Sequence, residues 1–112
     1  KCLFIEDWPL KKNLYGWHVI LKKGGYQNPH IHPNGWLSGV IYLKVVPSLK
    51  KSEGSIEFSL NGENYSHPSS PKFIYQPNNG DIVLFPSSLH HRTTSFTSDL
   101  DRVIFSFDLM PE

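Results

Sequence analysis

The stretch NPHIHPNGWLSGVIYL, residues 28–43, carries two histidines one residue apart, brackets them with prolines and runs into an apolar, β-branched segment. In an extended chain residues i and i+2 project to the same side, so a strand over 29–33 would aim the rings of His30 and His32 at one point. That is how a strand presents two ligands to a metal ion. A pair alone is weak evidence, because most histidines are surface or hydrogen-bonded residues, and a third ligand is required. The stretch NNGDIVLFPSSLHHRTTSF, residues 78–96, supplies candidates: an apolar strand ends at Pro86 and a short loop delivers His90 and His91, of which one should face inward and the other away. Three histidines converging in this way can hold a metal and leave its other coordination positions open.

The elements that must hold these side chains read as nearly all β. Nine prolines and eight glycines in 112 residues leave little room for helices, while Val, Ile, Tyr, Phe and Trp cluster in short runs between turn signals. Strands are expected over 14–23, 29–33, 37–46, 54–60, 72–77, 81–86, 90–96 and 102–109. Gly24-Gly25, Pro33-Asn34-Gly35, Asn61-Gly62 and the PNNGD segment supply the turns, and PSLKKSEG reads as a solvated loop. Eight short strands with regular turns predict a single jelly-roll or sandwich domain over 1–112, with its core at about 14–110.

Composition removes several function classes. The net charge is +1 and the basic residues are spread along the chain, so no stripe follows a phosphate backbone and a nucleic-acid partner is not expected. No apolar run approaches the roughly 20 residues of a membrane-crossing helix, and the first residues do not form a signal peptide. The single cysteine, Cys2, rules out an internal disulfide and a cysteine-based zinc cluster, and points to a reducing compartment such as the cytoplasm. The start at Lys1 without a methionine suggests a fragment of a longer chain.

In RVIFSFD, residues 102–108, alternation sets Arg102, Ile104 and Ser106 on one face and Val103, Phe105 and Phe107 on the other. With the first face turned inward, the Arg102 guanidinium can make a bidentate contact with a carboxylate, with the Ser106 hydroxyl nearby. The plainer role for Arg102 is an ion pair with Asp99 or Asp101. His18 and His67 read as structural or exposed, and Trp17 and Trp36 as packing residues. Gln27 and Asn28, just ahead of the histidine pair, could orient a ligand through hydrogen bonds.

GGYQNPHIHPNGWLSGVIYLKVVP followed by GSIEF, GDIVLFPSSLHHRTTSF and DRVIFSFDL resembles the 2-oxoglutarate/Fe(II)-dependent oxygenases related to the prolyl 4-hydroxylases. The resemblance spans roughly residues 14–110 and keeps the order of the blocks. It implies a double-stranded β-helix with Fe(II) held by His30, His32 and the distal His91, His90 being the fallback. It further implies 2-oxoglutarate bound through its far carboxylate by Arg102, with Tyr42 assisting, and the Ser106 hydroxyl beside Arg102 joins this cosubstrate set. The implied reaction is hydroxylation of a small molecule or peptide coupled to oxidative decarboxylation of 2-oxoglutarate to succinate. His32 departs from the better-known relatives, which have an acid there. Three neutral imidazoles leave Fe(II) with its full double charge, which changes the affinity for an anionic cosubstrate.

The cupin pattern is a second resemblance. Gly24, His30 and His32 match its first half, and Gly80, Pro86 and His91 match its second, with Ser88 in place of a glycine; the cupin glutamate is missing. It implies the same jelly roll and the same three ligands, but a dioxygenase that uses no 2-oxoglutarate and gives Arg102 no task. A binding module without catalysis is the remaining alternative. Oligomeric state leaves no trace in the sequence.

Overall fold

The computed structural model of the chain describes residues 1–62 and 64–112. A four-residue helix α1 (Leu3–Glu6) precedes eight strands: β1 (Lys12–Leu21), β2 (Gln27–His30), β3 (Leu37–Lys44), β4 (Ile56–Ser59), β5 (Lys72–Tyr75), β6 (Ile82–Pro86), β7 (His90–Thr93) and β8 (Arg102–Pro111). They form two four-stranded sheets in the orders β1-β8-β3-β6 and β2-β7-β4-β5, and every strand pair is antiparallel. Only the β4–β5 connection stays within one sheet. Each other step crosses to the opposite sheet, which makes the domain a double-stranded β-helix, as expected.

The core lies between the sheets. Val40, Tyr42, Ile56, Phe58, Phe85 and Ile104 form one buried cluster, with Val19, Val45, Tyr75, Val83 and Leu89 packed against it. Alternation places these residues: on β8, Arg102, Ile104, Ser106 and Asp108 are buried while Val103, Phe105 and Phe107 face outward to varying degrees, the division that a period of two requires. The outer face of the first sheet is also apolar, with Leu14, Ile20, Ile82 and Leu84 all more than half exposed.

Turn chemistry closes the strands where the sequence indicates. Gly24 and Gly80 both have positive φ, 77° and 87°, a conformation that costs glycine no steric penalty. The 78–81 turn is held by Asp81, which accepts the Asn78 N–H at 2.8 Å and the Tyr75 hydroxyl proton at 2.7 Å. These two bonds hold the Asp81 carboxyl below the usual carboxylate range, the Tyr75 contribution being the larger.

Two expectations need correction. PHIHP is not one strand: β2 ends at His30, and His32 lies beyond it at the head of a turn whose Gly35 N–H donates to the His32 carbonyl at 3.0 Å. Pro33 has no N–H to extend a ladder, and the His32 N–H is spent on the Ser87 carbonyl at 2.9 Å. PSLKKSEG is more than a solvated loop, because the buried Glu53 side chain gathers it by accepting the N–H groups of Leu49 and Lys50, each at 3.1 Å, and the Thr97 hydroxyl proton at 2.9 Å.

Candidate active site

His30 closes β2 directly opposite His91 on β7, so two imidazoles from neighbouring strands face one another with ring centres 4.3 Å apart. The turn after β2 brings back His32, whose ring centre is 5.3 Å from that of His30 and 5.0 Å from that of His91. One ring nitrogen from each of the three lies within 4.8 Å of the others. The predicted trio therefore converges, although His32 arrives by a turn and not by strand alternation. His90 points to the other side of β7, where its Nε2 lies 3.0 Å from the position a Cβ on Gly62 would take.

All three rings are oriented through Nδ1. His30 is bonded to the Asn28 carbonyl at 2.6 Å and His91 to the Leu89 carbonyl at 3.0 Å. His32 meets both carboxylate oxygens of Asp108, at 2.7 and 2.9 Å. A carbonyl or carboxylate can only accept, so Nδ1 donates in each case and Nε2 is left as the free lone pair, which is the arrangement a metal ligand needs. His91 is 7% exposed and packs against Phe85, with ring centres 4.5 Å apart. Burial pulls its pKa down to about 4, the neighbouring His30 and His32 acting in the same direction. The ring is thus neutral and ready to donate its lone pair at physiological pH.

A cavity of about 40 Å³ runs inward from the histidines between the two sheets, space for roughly three water molecules at about 10–15 Å³ each. Its lining includes Trp17, Gln27, Tyr42, Thr93, Arg102 and Ser106. Trp17 is 39% exposed and lies beside His32, with ring centres 5.8 Å apart. It walls the mouth of the cavity and is not enclosed in the core. Trp36 is the packing residue expected, stacked on Phe4 and donating its indole N–H to the Phe4 carbonyl at 3.2 Å.

Arg102 and Tyr42 line the same cavity, 1% and 0% exposed. Among the described residues, Arg102 Nε and Nη1 and the Tyr42 hydroxyl have no hydrogen-bond partner. Asp99 and Asp101 do not serve Arg102; they pair with Lys23 at 3.1 Å and Lys22 at 2.5 Å. Burial lowers the pKa of Arg102, against the nearby Tyr42, which favours the charged form, and burial raises that of Tyr42. A buried cation without an anion is expensive, and the open donors face a space in which an anion can lie. The residues present thus fit both groups that the sequence resemblance implies: three free Nε2 atoms for a divalent metal, and unspent guanidinium and phenol donors for a carboxylate.

Sequence reasoning missed Asp108. It continues the inward series Arg102, Ile104, Ser106 by one step, so strand alternation alone would have pointed to it. Its Oδ1 also accepts the Ser38 hydroxyl proton at 2.7 Å, and Ser38 and Ser87 hydroxyls are 2.7 Å apart.

No helix among the described residues is long and apolar enough to cross a membrane. No curated protein matches the sequence. Among solved structures, the chain is similar to a prolyl-4-hydroxylase from Pseudomonas putida, with a TM-score of 0.67 at 14% identity over 89% of this chain and 52% of that one. It is similar to HygX from Streptomyces hygroscopicus, crystallised with nickel, 2-oxoglutarate and hygromycin B, with a TM-score of 0.66 at 15% identity over 94% of this chain and 57% of that one. A cupin domain from Bordetella pertussis gives a TM-score of 0.56 at 14% identity and covers 88% of this chain and 82% of that one. These likenesses share the fold, and the chain spans about half the length of the prolyl-4-hydroxylase and HygX structures. Residues 15–108 match the family described as "Putative 2OG-Fe(II) oxygenase". With that match over most of its length, the chain belongs to the 2-oxoglutarate/Fe(II) oxygenase family.

Proposed function

We propose that this domain is the catalytic core of an Fe(II)- and 2-oxoglutarate-dependent dioxygenase that hydroxylates a small molecule or a peptide side chain. The observation that carries the reading is the pairing of two half-sites across one cavity: three histidines with free Nε2 atoms, and buried Arg102 and Tyr42 donors without partners among the described residues. His30, His32 and His91 hold the metal. The Arg102 guanidinium and the Tyr42 hydroxyl would bind the far carboxylate of the cosubstrate. Ser106, buried on the same face of β8, lines the same cavity.

When bound, Fe(II) and 2-oxoglutarate supply the oxygen chemistry, in which the keto acid is decarboxylated to succinate and one oxygen atom enters the substrate as a hydroxyl. The protein orients and excludes water. Phe85 and Phe58 pack around His91, at 4.5 and 6.2 Å between ring centres, and keep that side of the centre dry. Trp17 leaves the mouth partly open, and the substrate approaches there. HygX, with hygromycin B in its crystal structure, supports a small-molecule substrate. The lone exposed Cys2 is consistent with a cytoplasmic setting.

The three-imidazole donor set and the likeness to a cupin domain favour a second reading, a dioxygenase whose substrate chelates the metal directly. Anaerobic titration of 2-oxoglutarate into the Fe(II)-loaded protein separates the two. The oxygenase reading requires a saturable visible charge-transfer band from bidentate chelation, lost in Arg102→Ala. Iron binding with no band at any 2-oxoglutarate concentration would select the cupin-type chemistry.

A further inference from the structure

We propose that Asp108 is a positioning residue that supplies, through the His32 ring, a negative charge that three neutral imidazoles do not themselves bring to the metal. The inference rests on the metal-binding reading given above and gives the centre an anionic group.

A carboxylate ligand cancels one unit of a divalent ion's charge, and His32 cannot. The structure sets a carboxylate one residue further out. Asp108 is 4% exposed, and among the described residues its side chain contacts no lysine or arginine within ion-pair distance. Its bonds go to His32 Nδ1 through both oxygens and to the Ser38 hydroxyl. A buried carboxylate without a permanent cation is costly, and a divalent ion on the far side of the imidazole would offset that cost. The ring conducts the effect: a carboxylate at Nδ1 makes Nε2 more electron-rich and holds the ring in the plane that points Nε2 at the metal.

The placement is selective. His30 and His91 give their Nδ1 protons to neutral backbone carbonyls, whereas His32 gives its proton to an anion. The surroundings are built to keep Asp108 there. Ser87 and Ser38 are 0% and 1% exposed and hydrogen-bonded to each other. A Cβ on Gly35 would come within 2.5 Å of Ser87 Oγ and 3.5 Å of Asp108 Cγ, so only a glycine lets the turn bearing His32 close over this cradle.

The test is a double-mutant cycle read by Mn(II) affinity, which needs no turnover. Asp108→Asn keeps the side-chain shape and an acceptor oxygen but removes the charge, and should weaken Mn(II) binding about 10- to 100-fold. In a His32→Asp background, where the carboxylate sits on the metal itself, the same Asp108→Asn change should alter affinity less than about threefold, because positions 32 and 108 are coupled. Equal losses in both backgrounds would make Asp108 a structural residue only and overturn the proposal. Wild-type Mn(II) binding that Asp108→Asn leaves unchanged would overturn it while the oxygenase reading stands; wild-type protein that binds no metal would sink both. Should Asp108→Asn fail to fold, proton NMR of the Zn(II)-loaded wild type decides: the His32 Nδ1 proton is expected well downfield of those of His30 and His91, and coincidence of the three rejects the charged partner.

Discussion

The guanidinium carbon of Arg102 lies 5.3 Å from the centre of the Tyr42 ring, and both side chains are sealed from solvent without a carboxylate between them. The ring face offers the cation some attraction, worth about 0.5–2 kcal/mol in general, which falls short of what burying an unpaired charge costs. Arg102→Met, which keeps the length and loses the charge, is therefore expected to raise the stability of the ligand-free protein by about 1–4 kcal/mol. The urea midpoint reads this directly. In thermal melts of the metal-loaded protein, 2-oxoglutarate should raise the wild-type midpoint by mass action and leave that of Arg102→Met unmoved. A variant less stable than wild type would show that Arg102 is already satisfied by the fold.

The two adjacent histidines of β7 should separate cleanly. His91→Gln removes an inward-facing Nε2 and is expected to weaken Mn(II) or Fe(II) binding by more than about 100-fold, beyond the range typical of outer partners. His90→Gln, on the side facing Gly62, should leave metal affinity within about twofold. Calorimetric titration of both variants is sufficient. The opposite ranking would make His90 the ligand.

Asp81 makes stability fall in acid. Its carboxyl is held below the ordinary range chiefly by the Tyr75 hydroxyl and next by the Asn78 N–H, so the folded state favours the ionised form. That contribution is complete above the unfolded pKa, about 3.9, and is lost as pH falls through the lower folded value. Asp81→Asn should thus lower the urea midpoint at pH 7 and converge with wild type once the pH lies below both values. A deficit of equal size at pH 7 and at a pH below both values would mean that packing, and not charge, is what Asp81 provides.

Much of the fold was legible because β-branched and aromatic runs alternate with glycine, proline and asparagine turns, and all eight expected strands occur in order with ends moved by a few residues. The strand ends were less legible where side chains compete with the ladder. His32 was assigned to β2 on spacing, yet its N–H goes to Ser87 and its ring to Asp108, partners 55 and 76 residues away that no local pattern reveals. His91 over His90 could be chosen by resemblance and follows physically from the inward register with His30 and Phe58. Asp108 lay within reach of the alternation that picked out Arg102 and Ser106. What hid it was chemistry: a carboxylate without a cation beside it in sequence reads as a surface charge, and only the folded turn at His32 to Gly35 supplies its partner. Glu53 was hidden for the same reason, its partners being backbone N–H groups that the loop presents only after it has folded.

Strand β8 bears Arg102 at one end and Asp108 towards the other, on the same face and six residues apart, a span of about 20 Å at strand rise. It is paired on both sides, with Leu21 opposite Arg102 and with Tyr15 and Ser38 opposite Asp108. The strand thereby works as a ruler clamped along both edges, fixing the distance from the buried Arg102 guanidinium to the carboxylate bonded to His32. A single inserted or deleted residue between the two would turn one of them to the outer face. Length in this strand is therefore as strict a requirement as the identity of the buried Ile104 and Ser106 that lie between the two marks.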